Sequence, residues 1–520
     1  MKKKIKNVIF LLIILLCSVM IVGARYYKEE YPEQDFSQIL YYLLNGVEHT
    51  APNVTNNILA DCLAPVILMT AGLYFLAGKN IKSNLILKIR IRKKKAKIQL
   101  YPIKLISKHR ILYSMLIYIV AVSIFIKGFG VDVYIQSMMQ DSNLYAEYYV
   151  DRRDVEIKFP EQKRNLIIIF AESMETTVLS EENGGALDYS IVPELEQLAL
   201  ENTNFSNNEK IGGGYHTFGT GYSAGGIVAV TGGIHIASAN VMKNNVYSGT
   251  GNYLPGAYTL GEVLREQGYN LEVMMGSDAT FGGRAQYFQT NGDYKIFDVN
   301  YAIEQGKMKE SDRVWWGFED DKLFEWSKEE ISNLASEAQP FNYIMITADT
   351  HFVDGYLSQK AENKFSTQYE NVHAYSSKSI YEFVEWAKNQ EFYNNTTIVI
   401  VGDHLGMQTE FYESKMEQGY QRRVYNVIIN PAIEATNYKN REFTIIDYYP
   451  TILASMGVKI EGERLGIGTN LYSGVPTIVE ELGYEYLNGE LTKNSNFYNN
   501  NIFGEDYYIT KDIHKEVENE

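Results

Sequence analysis

The sequence predicts an α/β protein in which N-terminal transmembrane helices precede a domain built on a mostly parallel central sheet. Three observations predict it. Apolar runs of spanning length are confined to the first 130 residues, the charge balance changes sign near residue 110, and from residue 165 short β-branched runs alternate with amphipathic segments.

The apolar runs come first. Val8 to Ala24, Ile58 to Gly78 and Ile111 to Gly130 are each long enough to cross roughly 30 Å of hydrocarbon. Lys2, Lys3, Lys4 and Lys6 precede the first, and twelve Lys/Arg lie between Lys79 and Arg110. The positive-inside tendency puts both basic stretches in the cytoplasm, with the acidic loop around Glu29, Glu30, Glu33 and Asp35 outside. Three crossings then leave everything after Gly130 outside, in a multi-pass protein of the cell membrane. The first run could instead be a signal peptide cleaved near Ala24, although it exceeds the usual h-region of about 7 to 15 residues; the final orientation is the same. The basic run Arg90 to Lys97, beside membrane spans, suits anionic lipid headgroups.

At 520 residues the chain exceeds one ordinary core, which predicts a membrane part plus one large domain. Residues 1–110 hold 18 Lys/Arg against 6 Asp/Glu, the rest 30 against 58. An acidic outer part cannot release counterions from nucleic acid, which excludes that class of partner. Cys17 and Cys62 both lie in apolar runs, so the large domain has no disulfide to form. The expected division is a membrane anchor (1–130), an extracellular stem (131–164, helical around Tyr134 to Tyr149), a catalytic domain (165–475) and a C-terminal extension (476–520).

Within the domain, NLIIIF (165–170), NLEVMM (270–275), FNYIMIT (341–347), TTIVIV (396–401) and VYNVIIN (424–430) read as buried strands. PELEQLAL (193–200), TLGEVLREQ (259–267), SKSIYEFVEWAKN (377–389) and DYYPTILASMG (447–457) read as helices between them. Continuous apolar strands separated by helices imply a sheet covered on both faces. Ligands of such sheets gather at the carboxyl ends of the strands. Glu172 follows the first strand, Asp349 and His351 the third, and Asp403 and His404 the fourth. A lone Asp-His pair serves as a cap or loop as readily as a ligand, and Glu172 alone could cap a helix. Carboxylates and imidazoles at three strand ends together point to a divalent cation. The glycine-rich segment GGGYHTFGTGYSAGGIVAVTGG (212–233) offers hydroxyls at Thr217, Thr220 and Ser223, with Ser223 placed to begin a helix. Unpaired amides at a helix start favour an alkoxide and an incoming phosphate, and metal coordination makes a hydroxyl nucleophilic near neutral pH. The same residues could form no more than a turn and an N-cap.

Taken in order, NLIIIFAES, GTGYSAGGIVAVTGGIHI, GSDATFGGRAQYFQTNG (276–292), ITADTHFVDG (346–355), VGDHLGM (401–407) and DYYPTILASMGVKIEGERLGIGTNL (447–471) resemble the phosphoglycerol transferase branch of the sulfatase-like, alkaline-phosphatase-superfamily enzymes. That branch includes osmoregulated-glucan phosphoglycerol transferases and, more distantly, lipoteichoic acid synthase, and the likeness spans roughly residues 160–475. It implies an alkaline-phosphatase/sulfatase-like fold. It also implies that Glu172, Asp403, His404 and the nucleophilic hydroxyl bind one divalent ion, manganese first, with zinc or magnesium as other fits. Asp349 and His351 would contact the headgroup or protonate the leaving group. The hydroxyl is Ser223 or Thr220, where the family usually has Thr. Arg284, His373 and Arg464 would be headgroup or structural residues, and Asn291 and Ser377 stand where the family often has His and Asp. The implied reaction moves phosphoglycerol from phosphatidylglycerol to a cell-surface glycan or polymer. The competing readings are a phosphoethanolamine transferase, a phosphodiesterase, and a non-catalytic membrane-tethered glycan-binding or sensor protein.

Overall fold

A computed structural model describes residues 2–31, 35–45, 52–78, 85–91, 94–100, 109–237, 252–417 and 419–504. The chain divides into two compact units, residues 1–36 with 52–135 and residues 37–51 with 136–520.

The first unit contains α1 (Lys2–Glu30), α3 (Pro52–Gly78) and α4 (Arg110–Gly128); α2 (Phe36–Asn45) lies between α1 and α3 in sequence. Ile5–Glu30, Ile58–Leu76 and Arg110–Gly128 are long and apolar enough to cross a membrane, matching the three runs expected. Phe10 and Ile14 of α1 pack with Leu73, Tyr74, Tyr113 and Ile117. At Gly128 a Cβ would lie 2.7 Å from that of Ala24, so the missing side chain lets two helices meet. Leu12, Leu16, Leu68, Ile111 and Ile119 stay exposed, a surface suited to lipid rather than water. A hairpin of β1 (Leu85–Ile91) and β2 (Lys94–Leu100) occupies part of the basic stretch, an element the sequence reading did not propose. Residues 79–84, 92–93 and 101–108 of that stretch lie outside the described residues, as do 32–34 of the acidic loop and 505–520 of the C-terminal extension.

The second unit is built on a seven-stranded sheet of β3 (Asn165–Ala171), β4 (Gly213–Gly214), β5 (Asn270–Met275), β6 (Lys295–Phe297), β7 (Phe341–Ile346), β8 (Thr396–Gly402) and β9 (Val424–Ile429). Its order is β4-β9-β8-β3-β7-β5-β6, with the run from β8 to β6 parallel and β9 antiparallel to both its neighbours. The predicted strands fall within a residue of their expected ends. Leu166, Ile168 and Phe170 enter one core while Ile167, Ile169 and Ala171 enter the other. Burial on both faces explains why β3 reads as an unbroken apolar run rather than an alternating one. On the first face lie α6 (Ser223–Gly232), α7 (Leu260–Glu266), α8 (Arg284–Thr290) and α11 (Tyr448–Ser455); on the second lie α5 (Pro193–Glu201), α9 (Asp320–Ala335) and α10 (Gln368–Lys388). Helix α10 begins well before Ser377 because Thr367 and Glu370 form a reciprocal capping box at its start. In the expected stem, helix breaks into Val131–Met138 and Leu144–Tyr148. At the break Ser142 turns its amide to the Asn494 carbonyl (2.8 Å) and its hydroxyl to the Leu144 amide (3.2 Å). Leu144 and Tyr145, like Ile478, Leu487 and Tyr498 near the other end, belong to the first-face core.

Register brings the functional loops together. Phe170 pairs with Ile346, Ala171 with Gly402 and Met275 with Ile346, so β3, β5, β7 and β8 end side by side. Helix α6 is seated against those ends through glycine: a Cβ on Gly226 would lie 2.0 Å from the Asp403 carbonyl oxygen, and one on Gly225 2.4 Å from that of Gly219. A methyl at residue 226 therefore displaces backbone, not a pliable side chain. Gly226→Ala is expected to cost about 1 to 3 kcal/mol and to lower the thermal unfolding midpoint of the detergent-solubilised protein; an unchanged midpoint would contradict this close packing.

Candidate active site

Glu172 leaves β3 directly, its amide donating to Thr347 Oγ1 (2.9 Å) and its carbonyl accepting from Thr350 Oγ1 (2.6 Å). Ser173 follows at φ +56°, a strained conformation for a side-chain-bearing residue. Two hydrogen bonds hold it there: its amide donates to Asp403 Oδ1 (2.9 Å) and its hydroxyl to Glu172 Oε1 (2.8 Å). From β8, Asp403 and His404 are completely buried. Asp403 Oδ1 also accepts the His404 amide (3.0 Å), and His404 Nδ1 meets the Leu405 carbonyl (2.8 Å). That carbonyl contact leaves Nε2 facing inward, 3.4 Å from both Glu172 Oε1 and Asp403 Oδ2. The loop is clamped from behind, where Glu175 Oε2 accepts the Gly406 amide (2.8 Å) and Arg422 binds Glu175 Oε2 and the Gly406 carbonyl (2.6 Å each).

Ser223 opens α6 and turns its hydroxyl to this cluster, 3.1 Å from Glu172 Oε2 and 3.4 Å from His404 Nε2. Glu172, Asp403 and His404 offer ligand atoms within 4.8 Å of one another, all buried. Asp403 Oδ2 has no hydrogen-bond partner among the described residues. Two carboxylates, an imidazole and a hydroxyl converging with an acceptor left unsatisfied fit a cation, and the donor set suits a hard or borderline divalent ion.

The electrostatics agree. Burial, reinforced by the Glu172 charge, pushes Asp403 up to about 7. Burial would also raise Glu172, but the adjacent His404, hydrogen-bonded to it, holds it below the usual carboxylate range. Burial works against the charged form of His404 as well, yet Asp403 and Glu172 together push it up to about 9. Two carboxylates crowded in a buried space thus keep positive charge beside them.

A pocket opens over Ser223. Its walls are Glu172, Ala224, Ser277, Phe281, Gly282, Arg284, Trp316, Ile346, Thr347, Ala348, His351 and Tyr42. Arg284 is 8% exposed and is fixed by Ser277 Oγ (3.0 Å) and the carbonyls of Asp278 (2.9 Å) and Phe281 (3.0 Å). No carboxylate pairs with it among the described residues, and burial lowers its pKa, so it is a desolvated cation facing an open space. His351 points its Nδ1 at the Phe352 carbonyl (2.7 Å), and burial pulls its pKa down.

Other residues singled out from the sequence have structural employment. Thr220 is fully buried; its hydroxyl accepts the Thr217 amide (2.8 Å) and donates to the Thr217 carbonyl (2.9 Å). Asp349 is absent from the pocket wall and exchanges hydrogen bonds with Asp320: Asp349 Oδ2 accepts the Asp320 amide (3.2 Å), and Asp320 Oδ2 the Asp349 amide (3.1 Å). Burial raises the pKa of both carboxyls. Asn291 donates to the carbonyls of Tyr253 and Tyr287, Ser377 binds Glu194, His373 bonds the Tyr369 carbonyl, and Arg464 the Pro476 carbonyl. Sequence reasoning missed Tyr42, Ser277, Phe281 and Trp316. Ser277, just beyond β5, could have been found by the strand-end rule; nothing in the sequence marks the others.

The chain is 30% identical over 286 residues to phosphoglycerol transferase I of Xanthomonas campestris, covering 53% of this chain and 38% of that protein. It is 28% identical over 272 residues to phosphoglycerol transferase I of Escherichia coli, covering 51% and 33%. It thus spans less than half the length of these curated relatives. Among solved structures, the integral membrane lipooligosaccharide phosphoethanolamine transferase A of Neisseria meningitidis superposes with a TM-score of 0.50 at 12% identity, over 87% of this chain and 84% of that one, a likeness of fold. The sulfatase family model matches residues 164–458, which takes in every strand of the seven-stranded sheet and every candidate ligand described above, and the chain belongs to that family.

Proposed function

We propose that this protein transfers a phosphoglycerol group from a membrane phospholipid, phosphatidylglycerol, to a cell-surface glycan or polymer through a covalent intermediate on Ser223. The observation that carries this reading is the Ser223 hydroxyl at a helix start, 3.1 Å from Glu172 and 3.4 Å from His404, beneath a pocket containing a buried arginine that pairs with no carboxylate among the described residues. The relatives named phosphoglycerol transferase I support the same reaction class.

Glu172, Asp403, His404 and Ser223 would hold a divalent cation, with manganese the first to test. When bound, such an ion lowers the pKa of the hydroxyl and offsets charge on the phosphate. Arg284 binds a nonbridging phosphate oxygen with a guanidinium already oriented by Ser277. Ser223 Oγ forms a bond to phosphorus as the bond to the diacylglycerol oxygen breaks, and the serine proton passes to that leaving oxygen. His351, its Nδ1 engaged by a carbonyl, has Nε2 available to carry the proton. In the second step His351 takes the proton of the acceptor hydroxyl as its oxygen bonds to phosphorus, the bond from phosphorus to Ser223 Oγ breaks, and His351 returns the proton to the departing serine oxygen. Asp349, joined to Asp320, keeps the 348–351 loop in place. Glycerol is favoured over ethanolamine because Glu172 is the sole carboxylate among the described pocket residues and would be taken up as a ligand, whereas Ser277 and Trp316 Nε1, which has no partner among the described residues, suit hydroxyls. The same reading places the second unit outside the membrane, as positive-inside orientation predicts.

The test is diacylglycerol release from fluorescent phosphatidylglycerol by the full chain with manganese. Ser223→Ala is expected to lower turnover by roughly 10³-fold or more while leaving the fold intact. Thr220→Ala should lose about 1 to 3 kcal/mol of stability yet retain turnover; the opposite pattern would move the nucleophile to Thr220. Phosphatidylethanolamine as the better donor would overturn the donor assignment. Arg284→Gln should raise KM for the lipid by about tenfold or more, the worth of a charge-assisted hydrogen bond.

Cation occupancy is testable by stability. His404, raised from 6.5 to about 9, stabilises the metal-free fold fully below pH 6.5, and that contribution is lost as pH rises through about 9. Asp403, raised from 3.8 to about 7, follows the same sign in a lower window. In chelator the unfolding midpoint should therefore fall between pH 7 and 9. Manganese should abolish that fall, because both ligands then bind without their protons; an equal fall with and without manganese would count against the site.

A further inference from the structure

We propose that Tyr42, on the segment between the first two candidate membrane spans, is a substrate-positioning residue that forms one wall of the headgroup pocket over Ser223; the inference rests on the donor reading above. Residues Ser37–Asn45 belong to the second unit although the sequence threads them between Ile5–Glu30 and Ile58–Leu76. Tyr41 is the anchor. It is fully buried, its hydroxyl lies 2.9 Å from that of Tyr253 and donates to the Gly282 carbonyl, and its ring centroid is 5.1 Å from that of Tyr222. Tyr222 immediately precedes Ser223.

With Tyr41 fixed, Tyr42 is delivered to the pocket. Its ring stacks on Phe281 at 5.6 Å and 25°, and lies 5.7 Å from Tyr222. Gly282 lies beneath it. At φ +64° this residue carries no side chain, and a Cβ built there would meet Tyr42 Cε1 at 3.8 Å and Ala224 Cβ at 3.9 Å, in ordinary contact. Tyr42 thus lies over Gly282 in the pocket wall. The aromatic surface continues from Tyr42 through Phe281 to Trp316 (5.3 Å) and on to His351 (4.8 Å), while Arg284 and Ser277 supply the polar side of the same pocket. One polar and one aromatic wall suit a small polyol ester of phosphate: the phosphate would meet the guanidinium and the residues that would hold a cation, and the carbon backbone of the polyol would lie along the rings.

The experiment compares full-chain wild type, Tyr42→Ala and Tyr42→Phe in detergent, with manganese and phosphatidylglycerol, reading KM, kcat and the unfolding midpoint. Tyr42→Ala should raise KM by about three- to tenfold, the worth of an aromatic contact, with a smaller change in kcat and little change in midpoint; Tyr42→Phe should restore KM to within about twofold, since the ring carries the contact. An unchanged KM in Tyr42→Ala overturns the inference. So does a fall of kcat and midpoint together in that variant with KM unmoved, which would make Tyr42 a packing residue. A wild type that releases no diacylglycerol sinks the donor reading instead, and this inference with it.

Discussion

Everything at this site follows from placing two carboxylates in a buried space where neither can be fully ionised without a positive neighbour. Glu172 and Asp403 leave adjacent parallel strands and reach the same point because Ala171 and Gly402 are paired in the sheet. Mutual repulsion and desolvation then dictate the rest: Asp403 is pushed up, His404 is pushed up beside the two carboxylates, and an acceptor oxygen on Asp403 has no hydrogen-bond partner among the described residues. Such an arrangement lowers the stability of the fold that carries it, and it persists in proteins where a function uses the tension. A divalent cation bound there would resolve all three imbalances at once.

The scaffold is organised to keep that arrangement from relaxing. Gly226 lets α6 lie directly on the Asp403 backbone, so the hydroxyl of Ser223 arrives on a rigid helix and not on a loop. Ser173 is held in a left-handed conformation by the two carboxylates it serves. Arg422, stacked 4.4 Å over the Tyr412 ring, grips the loop after His404 through Glu175 and Gly406. Each contact acts on backbone or on a charged partner, which makes the geometry stiff.

Much of this was legible in the sequence, for a physical reason. Strands buried on both faces read as continuous apolar runs, and polar residues placed just after them stand out, which is how Glu172, Asp403 and His404 were found. Ser223 and Thr220 could not be separated there, since both are hydroxyls in one glycine-rich loop; only hydrogen bonding distinguishes Ser223, whose hydroxyl faces Glu172 and His404, from Thr220, whose hydroxyl is taken up by Thr217. The two-residue β4 and three-residue β6 carry too little pattern to be seen, being strands by virtue of their neighbours. The start of α10 was readable in Thr367 and Glu370 and was passed over. Tyr42 was beyond reach, because paired tyrosines beside an apolar run look like ordinary membrane-interface residues.

The docking of Tyr41 against Tyr253, 212 residues apart, also sets the order of assembly. A ribosome delivers residues 37–45 early, then two more hydrophobic stretches, and only afterwards the strands and loops those tyrosines fit. The short helix must therefore wait through the synthesis of α3 and α4. Its apolar face has no home until a partner made much later arrives. Non-local closure of this kind slows folding, and it makes the completion of the pocket a late event in the life of each newly made chain.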